Sequence, residues 1–122
     1  MRIVLDTTIL VRANESSQGL ARQLLLDIVA GRHALLLSSE ILYELARVLR
    51  YPRMQALHGL PESRIYDYIG FLREVSELVT LNPLLSIPIR NVKDIVVVQT
   101  ALIGEADVIC TKDDLHKGRR LR

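Results

Sequence analysis

Residues 1–10, MRIVLDTTIL, put a carboxylate directly after a run of residues that favours a β-strand. The strand-like run covers residues 2–5, and Asp6 interrupts the apolar pattern before it continues through Ile9 and Leu10. A charged side chain beside a buried strand is costly unless something compensates its charge. The sequence therefore predicts that Asp6 has a partner elsewhere in the chain.

The rest of the chain alternates short aliphatic runs with longer helical patterns, which is typical of a parallel sheet with crossover helices. Further strands are predicted over residues 33–37 and 107–111. Helices are predicted over residues 20–30 before Gly31, over 40–51 after the cap candidates Ser38 and Ser39, over 60–79, and over 94–103 before Gly104. The last of these is apolar on nearly every side, which predicts burial on several sides. Residues 82–91 predict an irregular connection, and residues 113–122 a polar helix or a frayed end.

Length and composition indicate one globular domain over residues 1–122, because the chain has 122 residues of which 49% are hydrophobic. The net charge of +2 argues against a strongly basic nucleic-acid binder, although the last six residues, KGRRLR, are locally basic. A lone cysteine, Cys110, cannot form an intramolecular disulfide and fits a reducing compartment. No apolar stretch approaches the roughly 20 residues of a membrane span. We therefore predict a cytoplasmic protein without a membrane segment.

Four acids occupy positions that a parallel sheet could bring together. Asp6 ends the first strand, Asp113 follows the last, Glu44 borders the apolar stripe of its helix, and Asp94 opens the most apolar helix. Ligands bind at the carboxyl edge of such sheets. Carboxylates gathered in one cleft repel each other unless a cation lies among them, and oxygen-only ligands suit Mg²⁺ or Mn²⁺. The pattern predicts metal-assisted phosphodiester hydrolysis.

Each of these acids also has an ordinary structural interpretation. Asp94 fits an N-cap, Asp6 a turn, Asp113 the start of a helix, and Glu44 a solvated helix position. The stretch LDTT at residues 5–8 resembles the motif of phosphatases with an aspartyl nucleophile, but Thr8 stands where their second aspartate is needed. Three scattered histidines give no zinc spacing and favour surface or boundary positions.

Three blocks, residues 1–11 (MRIVLDTTILV), 35–53 (LLLSSEILYELARVLRYPR) and 92–115 (VKDIVVVQTALIGEADVICTKDDL), resemble the corresponding blocks of the PIN domain. The resemblance is strongest to small bacterial and archaeal members described as toxins of toxin–antitoxin systems. It implies a three-layer α/β/α fold with a central parallel sheet. It also implies an Mg²⁺- or Mn²⁺-dependent endoribonuclease acting on single-stranded RNA, an antitoxin partner that blocks the acidic cleft, and a homodimer.

The resemblance assigns the catalytic and metal-binding roles to Asp6, Glu44, Asp94 and Asp113. Thr8, Thr111 and Asp114 would surround these ligands, and Thr8 replaces the Asn or Ser usual in the family. The basic residues proposed for phosphate contacts are Arg12, Arg47, Arg50, Lys112 and Lys117. Aromatic residues are few, and those over residues 66–71 have a helical spacing that favours the core. The alternative function is a PIN-fold module that binds nucleic acid or a partner without hydrolysis.

Overall fold

The computed structural model describes residues 1–82 and 92–111, with the side chains of residues 92–94 outside that description. Its elements are, in chain order, β1 (Arg2–Leu5), α1 (Thr7–Arg12), α2 (Leu20–Ala30), β2 (Ala34–Leu37), α3 (Ser39–Leu49), α4 (Pro52–His58), α5 (Glu62–Val75), β3 (Ser76–Leu78), α6 (Val92–Ile103) and β4 (Val108–Cys110). The connection predicted over residues 82–91 and the terminal segment over 113–122 lie almost entirely outside the described residues.

The four strands form one parallel sheet in the order β3-β2-β1-β4. Ile3 lies between Leu35 of β2 and Val108 of β4, so β1 is a central strand. The first two crossovers step one way across the sheet and the third returns past them. Because crossovers of this kind are right-handed, α6 covers the face opposite to the earlier helices. The chain therefore has the predicted three-layer α/β/α fold with a central parallel sheet.

The core lies between the central strands and the helices that flank them. Val4, Leu5, Leu36 and Leu37 are completely or almost completely buried in β1 and β2. Buried side chains from the helices pack on them: Ile9, Leu10, Leu25, Ile28, Ile41, Leu42, Leu45, Leu49, Ile65 and Leu72. Each leucine or isoleucine buried in this way contributes about 1.5–3 kcal/mol to folding. The Tyr68 hydroxyl donates to the Leu10 carbonyl at 2.7 Å and ties α5 to α1.

Three short elements differ from the sequence predictions. The chain turns into helix α1 directly after Asp6, which caps the helix, instead of making a simple turn. The helix predicted over residues 40–51 stops before Pro52, which itself begins α4, because proline fits the first helical position, where no backbone N–H is needed. The helix predicted to reach residue 79 ends at Val75, and residues 76–78 pair with β2 as strand β3. Long-range pairing overrides the local helical spacing there.

Two predicted helix faces are less buried than their sequences indicate. Leu20 is the first apolar residue of the helix predicted over residues 20–30, but it is 67% exposed because α2 begins there. In α6 the residues Leu102 and Ile103 are 61% and 39% exposed, whereas Thr100 and Ala101 are buried. Helix α6 contacts β1, β2 and α3. The prediction that α6 is buried on several sides is therefore wrong for its C-terminal turn.

None of the helices in residues 1–82 and 92–111 is long and apolar enough to cross a bilayer.

Candidate functional site

The carboxyl edge of the sheet gathers the ends of the central strands. Asp6 follows β1, and its backbone N–H donates to the Cys110 carbonyl at 3.2 Å, next to Thr111. Ser38 follows β2 and is fully buried. In a parallel sheet these strand ends lie side by side, so Asp6, Ser38 and Thr111 line one edge. This is the edge where the sequence predicts a ligand site.

Asp6 is held in place by the helix that it begins. Its Oδ1 atom accepts the backbone N–H of Ile9 at 2.9 Å, and its carbonyl oxygen accepts the N–H of Leu10. The Asp6 backbone is extended, as is usual for an N-cap residue. The side chain is half-buried. The carboxylate therefore has a fixed position at the edge of the sheet, and the N-terminus of α1 partly compensates its charge.

Glu44 lies in the middle of α3 on the border between its buried and exposed faces, as its sequence position predicts. Its side chain is 16% exposed, and its Oε1 atom is buried. The Oε2 atom accepts a hydrogen bond from Nη2 of Arg47, one turn further along the helix. This bond to a carboxylate raises the pKa of the Arg47 guanidinium. Glu40, by contrast, is exposed.

A cavity of about 780 Å³ brings Glu44 and the first turn of α1 to one place. Thr7, Thr8 and Glu44 all line it, and Val48 contributes apolar surface. Helices α1 and α3 pack directly on each other, which explains why residues so far apart in sequence share this cavity. Because Asp6 caps α1, the Asp6 carboxylate and the Glu44 carboxylate belong to the same neighbourhood of the fold.

The other predicted ligands are described less fully. The backbone of Asp94 lies in the first turn of α6, but its side chain is outside the description. Asp113 and Asp114 lie outside the described residues, whereas Thr111 lies inside them and is half-buried. Within the part of the chain that the structure describes, no three His, Cys, Asp or Glu side chains come together as a metal site. The four-acid cluster therefore stays a prediction.

Helix α6 is attached to the same edge by two buried hydroxyl groups that the sequence analysis did not single out. The Thr100 hydroxyl lies 3.0 Å from the Ser38 hydroxyl and 2.8 Å from the Val96 carbonyl oxygen. Ser38 also caps α3, where its hydroxyl accepts the Ile41 N–H at 3.3 Å. Asp94 lies about 9 Å before Thr100 along the helix. A polar residue inside the run VVVQTALI was the signal that could have found Thr100.

The basic residues named for phosphate contacts have different surroundings. Arg12 lines the cavity beside Thr8. Arg47 is paired with Glu44, and Arg50 forms an ion pair with Glu62 across to α5. Lys112 and Lys117 lie outside the described residues. Of the three arginines in this group, Arg12 is therefore the one that lines the cavity of Glu44.

One histidine is a structural residue and not a surface one. His58 is 8% exposed, its Nε2 lies 2.8 Å from the Leu49 carbonyl oxygen, and its Nδ1 accepts the Leu60 N–H. Both ring nitrogens are thus used to fix the end of α4. The prediction of a surface or boundary position is wrong for His58, while His33 is exposed.

Comparison with known proteins agrees with this architecture. A family model of the PIN domain matches residues 2–115, which is nearly the whole chain. No curated protein matches the chain. PIN-domain proteins are generally nucleases, that is hydrolases that bind nucleic acid and use divalent metal ions. The parallel sheet, the acid at the end of β1 and the family match together lead to one conclusion: this chain is a member of the PIN-domain family.

Proposed function

We propose that this protein is an Mg²⁺- or Mn²⁺-dependent endoribonuclease that hydrolyses phosphodiester bonds of single-stranded RNA. The observation that carries the proposal is the shared cavity of Glu44 and the α1 turn that Asp6 begins. Asp6 is a fixed carboxylate at the carboxyl edge, and Glu44 faces a cavity that is also lined by Thr7 and Thr8, the two residues after Asp6. The proposal that these acids serve phosphodiester hydrolysis is supported by the match to a family whose members are generally nucleases.

The donor atoms suit a hard divalent cation. Asp6 and Glu44 offer carboxylate oxygens, the ligand type that Mg²⁺ and Mn²⁺ prefer over nitrogen or sulfur. The ion would be held by the carboxylates of Asp6, Glu44, Asp94 and Asp113. These ligands would be surrounded by Thr8, Thr111 and Asp114. When bound, the ion supplies Lewis-acid chemistry that activates water and stabilises negative charge on the leaving oxygen.

The protein's own groups would orient these parts. The hydrogen bond from the Ile9 N–H fixes one oxygen of Asp6, so the carboxylate does not need to reorganise when a ligand arrives. Arg47 holds one oxygen of Glu44 in the same way. Arg12, on the cavity wall, would contact a phosphate of the substrate.

The biological setting that we propose is the toxin of a toxin–antitoxin pair. It rests on the resemblance of the three sequence blocks to small prokaryotic PIN-domain toxins. A cognate antitoxin would then cover the acidic cavity with a basic side chain, and the toxin would act in the cytoplasm, in the form of a homodimer.

The test is metal-dependent hydrolysis of an unstructured RNA oligonucleotide by the purified protein. We expect cleavage with Mg²⁺ or Mn²⁺, none with a chelator, and a loss of at least about a hundredfold in Asp6→Asn, because catalysis through a bound ion supplies several kcal/mol. Asp27→Asn is the matched control, since it removes an exposed aspartate on α2 that does not line the cavity. Equal rates for the wild type and Asp6→Asn would refute the assignment.

A second candidate function is a PIN-fold module that binds nucleic acid or a partner without cleaving it. Thr8 favours it, because it lines the cavity with a hydroxyl where the family usually has Asn or Ser. A threonine keeps the hydroxyl of Ser but lacks the amide donors of Asn, which help to position water. RNA binding without hydrolysis in the wild type and in Asp6→Asn would establish this alternative.

A further inference from the structure

Three of the four tyrosines in this chain are exposed, and they surround two arginines. Tyr43 is 73% exposed, Tyr51 is 42% exposed and Tyr66 is 72% exposed. Arg47 and Arg50 lie among them on α3. We call these five residues the tyrosine–arginine face. An exposed aromatic ring does not help the core, so three of them on one surface require another explanation.

Helix geometry and packing bring the face together. Residues 43, 47 and 50 are four and three positions apart, so their side chains follow one side of α3 over about 10 Å. Tyr51 comes directly after. The ion pair between Arg50 and Glu62 links α3 to α5, and Tyr66 lies one turn after Glu62 on the same side of α5. Arg50 donates hydrogen bonds from Nε and Nη2 to Oε1 of Glu62, and these bonds raise the pKa of the Arg50 guanidinium.

The face contains a shallow hollow of about 390 Å³ between Tyr43 and Tyr51. The hollow is also lined by Ala46, Arg47 and Arg50, so Ala46 supplies its aliphatic surface. Tyrosine and arginine are also enriched at protein–protein interfaces, but the buried core of such an interface is largely apolar, whereas two charged side chains line this hollow. Rings that alternate with guanidinium groups instead match a strand that presents bases and phosphates in turn.

We propose that the tyrosine–arginine face binds single-stranded RNA, with bases stacked on the tyrosine rings and phosphates held by the arginines. The proposal deepens the ribonuclease function and rests on it. The face is continuous with the candidate site, because Arg47 of the face is bonded to Glu44, which lines the cavity. A strand bound on this face would therefore reach Glu44 at one end.

The existing ion pairs do not block this use of the arginines. Arg47 and Arg50 have side chains that are 52% and 39% exposed. In the Arg50–Glu62 pair both partners are exposed, and such pairs contribute little to stability and exchange readily with another anion. A guanidinium carries five N–H donors, so it can contact a phosphate while it keeps a bond to its carboxylate. Single-stranded RNA is favoured over a duplex, because bases can stack on tyrosine only when they are not paired.

The experiment measures binding of a fluorescein-labelled 12-nucleotide oligouridine to the full chain by fluorescence anisotropy, in buffer with EDTA to prevent cleavage. We expect Tyr43→Ala and Tyr51→Ala each to weaken binding by about tenfold, the loss that follows when one base loses its stacking partner. Tyr43→Phe keeps the ring and should bind like the wild type. Arg50→Ala should also weaken binding, whereas the control Arg32→Ala, an exposed arginine after α2, should not.

A second ligand separates stacking from simple charge attraction. An abasic oligonucleotide of the same length keeps every phosphate but has no bases. We expect it to bind the wild type more weakly than the normal oligonucleotide binds Tyr43→Ala, because it loses stacking at every tyrosine, and Tyr43→Ala should reduce its affinity no further. Circular dichroism would establish that the tyrosine variants are folded. We expect them to be, because the replaced side chains are exposed and do not pack in the core.

The proposal is overturned by three results: no detectable binding of the oligonucleotide to the wild type, equal affinity of the wild type and both tyrosine variants, or equal affinity for the abasic ligand. Unchanged affinity in the tyrosine variants would point instead to protein docking on this face. Failure of the ribonuclease function gives a different result, because binding without metal is measured independently of cleavage. If the protein binds RNA through the tyrosines but does not cleave it, the RNA-binding proposal holds and the ribonuclease proposal fails.

Discussion

Substitution of Asp6 separates its structural role from its proposed role as a metal ligand. Asp6 caps α1 through the bond from the Ile9 N–H to Oδ1 at 2.9 Å. Alanine removes this cap, which costs about 1 kcal/mol, and for a domain of this size that lowers the melting temperature by about 4 °C. Asparagine is as good an N-cap as aspartate, so Asp6→Asn keeps this contribution.

A divalent metal ion should change the melting temperatures of the wild type and of Asp6→Asn by different amounts. A ligand at a hundred times its dissociation constant stabilises the folded state by about 2.7 kcal/mol. We expect Mn²⁺ to raise the melting temperature of the wild type and to have little effect on Asp6→Asn, because an amide oxygen is a poorer ligand than a carboxylate. Without metal, Asp6→Asn should be at least as stable as the wild type, since it removes one negative charge from the proposed acidic cluster.

The assay is thermal unfolding of the wild type, Asp6→Asn and Asp6→Ala, each with EDTA and with Mn²⁺. Asp27→Asn serves again as the control for a general loss of negative charge, and it should respond to Mn²⁺ like the wild type. If Mn²⁺ stabilises Asp6→Asn as much as the wild type, Asp6 does not bind the ion. If Asp6→Ala is as stable as Asp6→Asn in EDTA, the capping role is wrong.

Two further predictions concern packing and protonation. Gly104→Ala would place a methyl group 2.9 Å from the Thr100 carbonyl oxygen and should destabilise the protein by about 1–3 kcal/mol. Gly70→Ala meets open space on α5 and should stabilise the protein by about 0.5–1 kcal/mol. Urea unfolding would contradict this packing if it ranked the two variants the other way. Burial raises the pKa of Tyr68, so above about pH 10 the unfolded chain loses this proton while the folded protein keeps it, and stability falls as pH rises. Tyr68→Phe should cost about 1 kcal/mol at pH 7 through the lost bond to Leu10 and show a shallower alkaline decline, while parallel pH curves would refute the linkage.

The sequence predicted the elements whose pattern is long or strongly apolar. The strands around Val4, Leu36 and Val108 and the amphipathic helices α2, α3 and α5 follow from local periodicity, and their order implies the parallel sheet. Helix α1 and strand β3 were not predicted, because they have six and three residues and depend on what they pack against. Elements this short carry too little periodicity to be distinguished from a turn or from the end of a neighbouring helix.

The candidate site divides in the same way. Asp6 and Glu44 could be selected from the sequence, because each acid breaks or borders an apolar pattern. The hydroxyl pair of Ser38 and Thr100 could not, because it joins residues 62 positions apart. The exposed position of Tyr66 was also not predicted, since its spacing resembles that of a core residue. The side of a helix that is buried depends on which helix packs against it, and the local sequence pattern does not predict that packing.

The most direct test of the central claim is anomalous diffraction from crystals of this protein grown with Mn²⁺. The claim is that Asp6, Glu44, Asp94 and Asp113 gather around a divalent ion at the carboxyl edge of the sheet. We predict an anomalous peak bonded to the carboxylate oxygens of Asp6 and its partners, and no such peak in Asp6→Asn. A fully occupied Mn²⁺ elsewhere, or Glu44 and Asp94 turned away from Asp6 toward solvent, would contradict it.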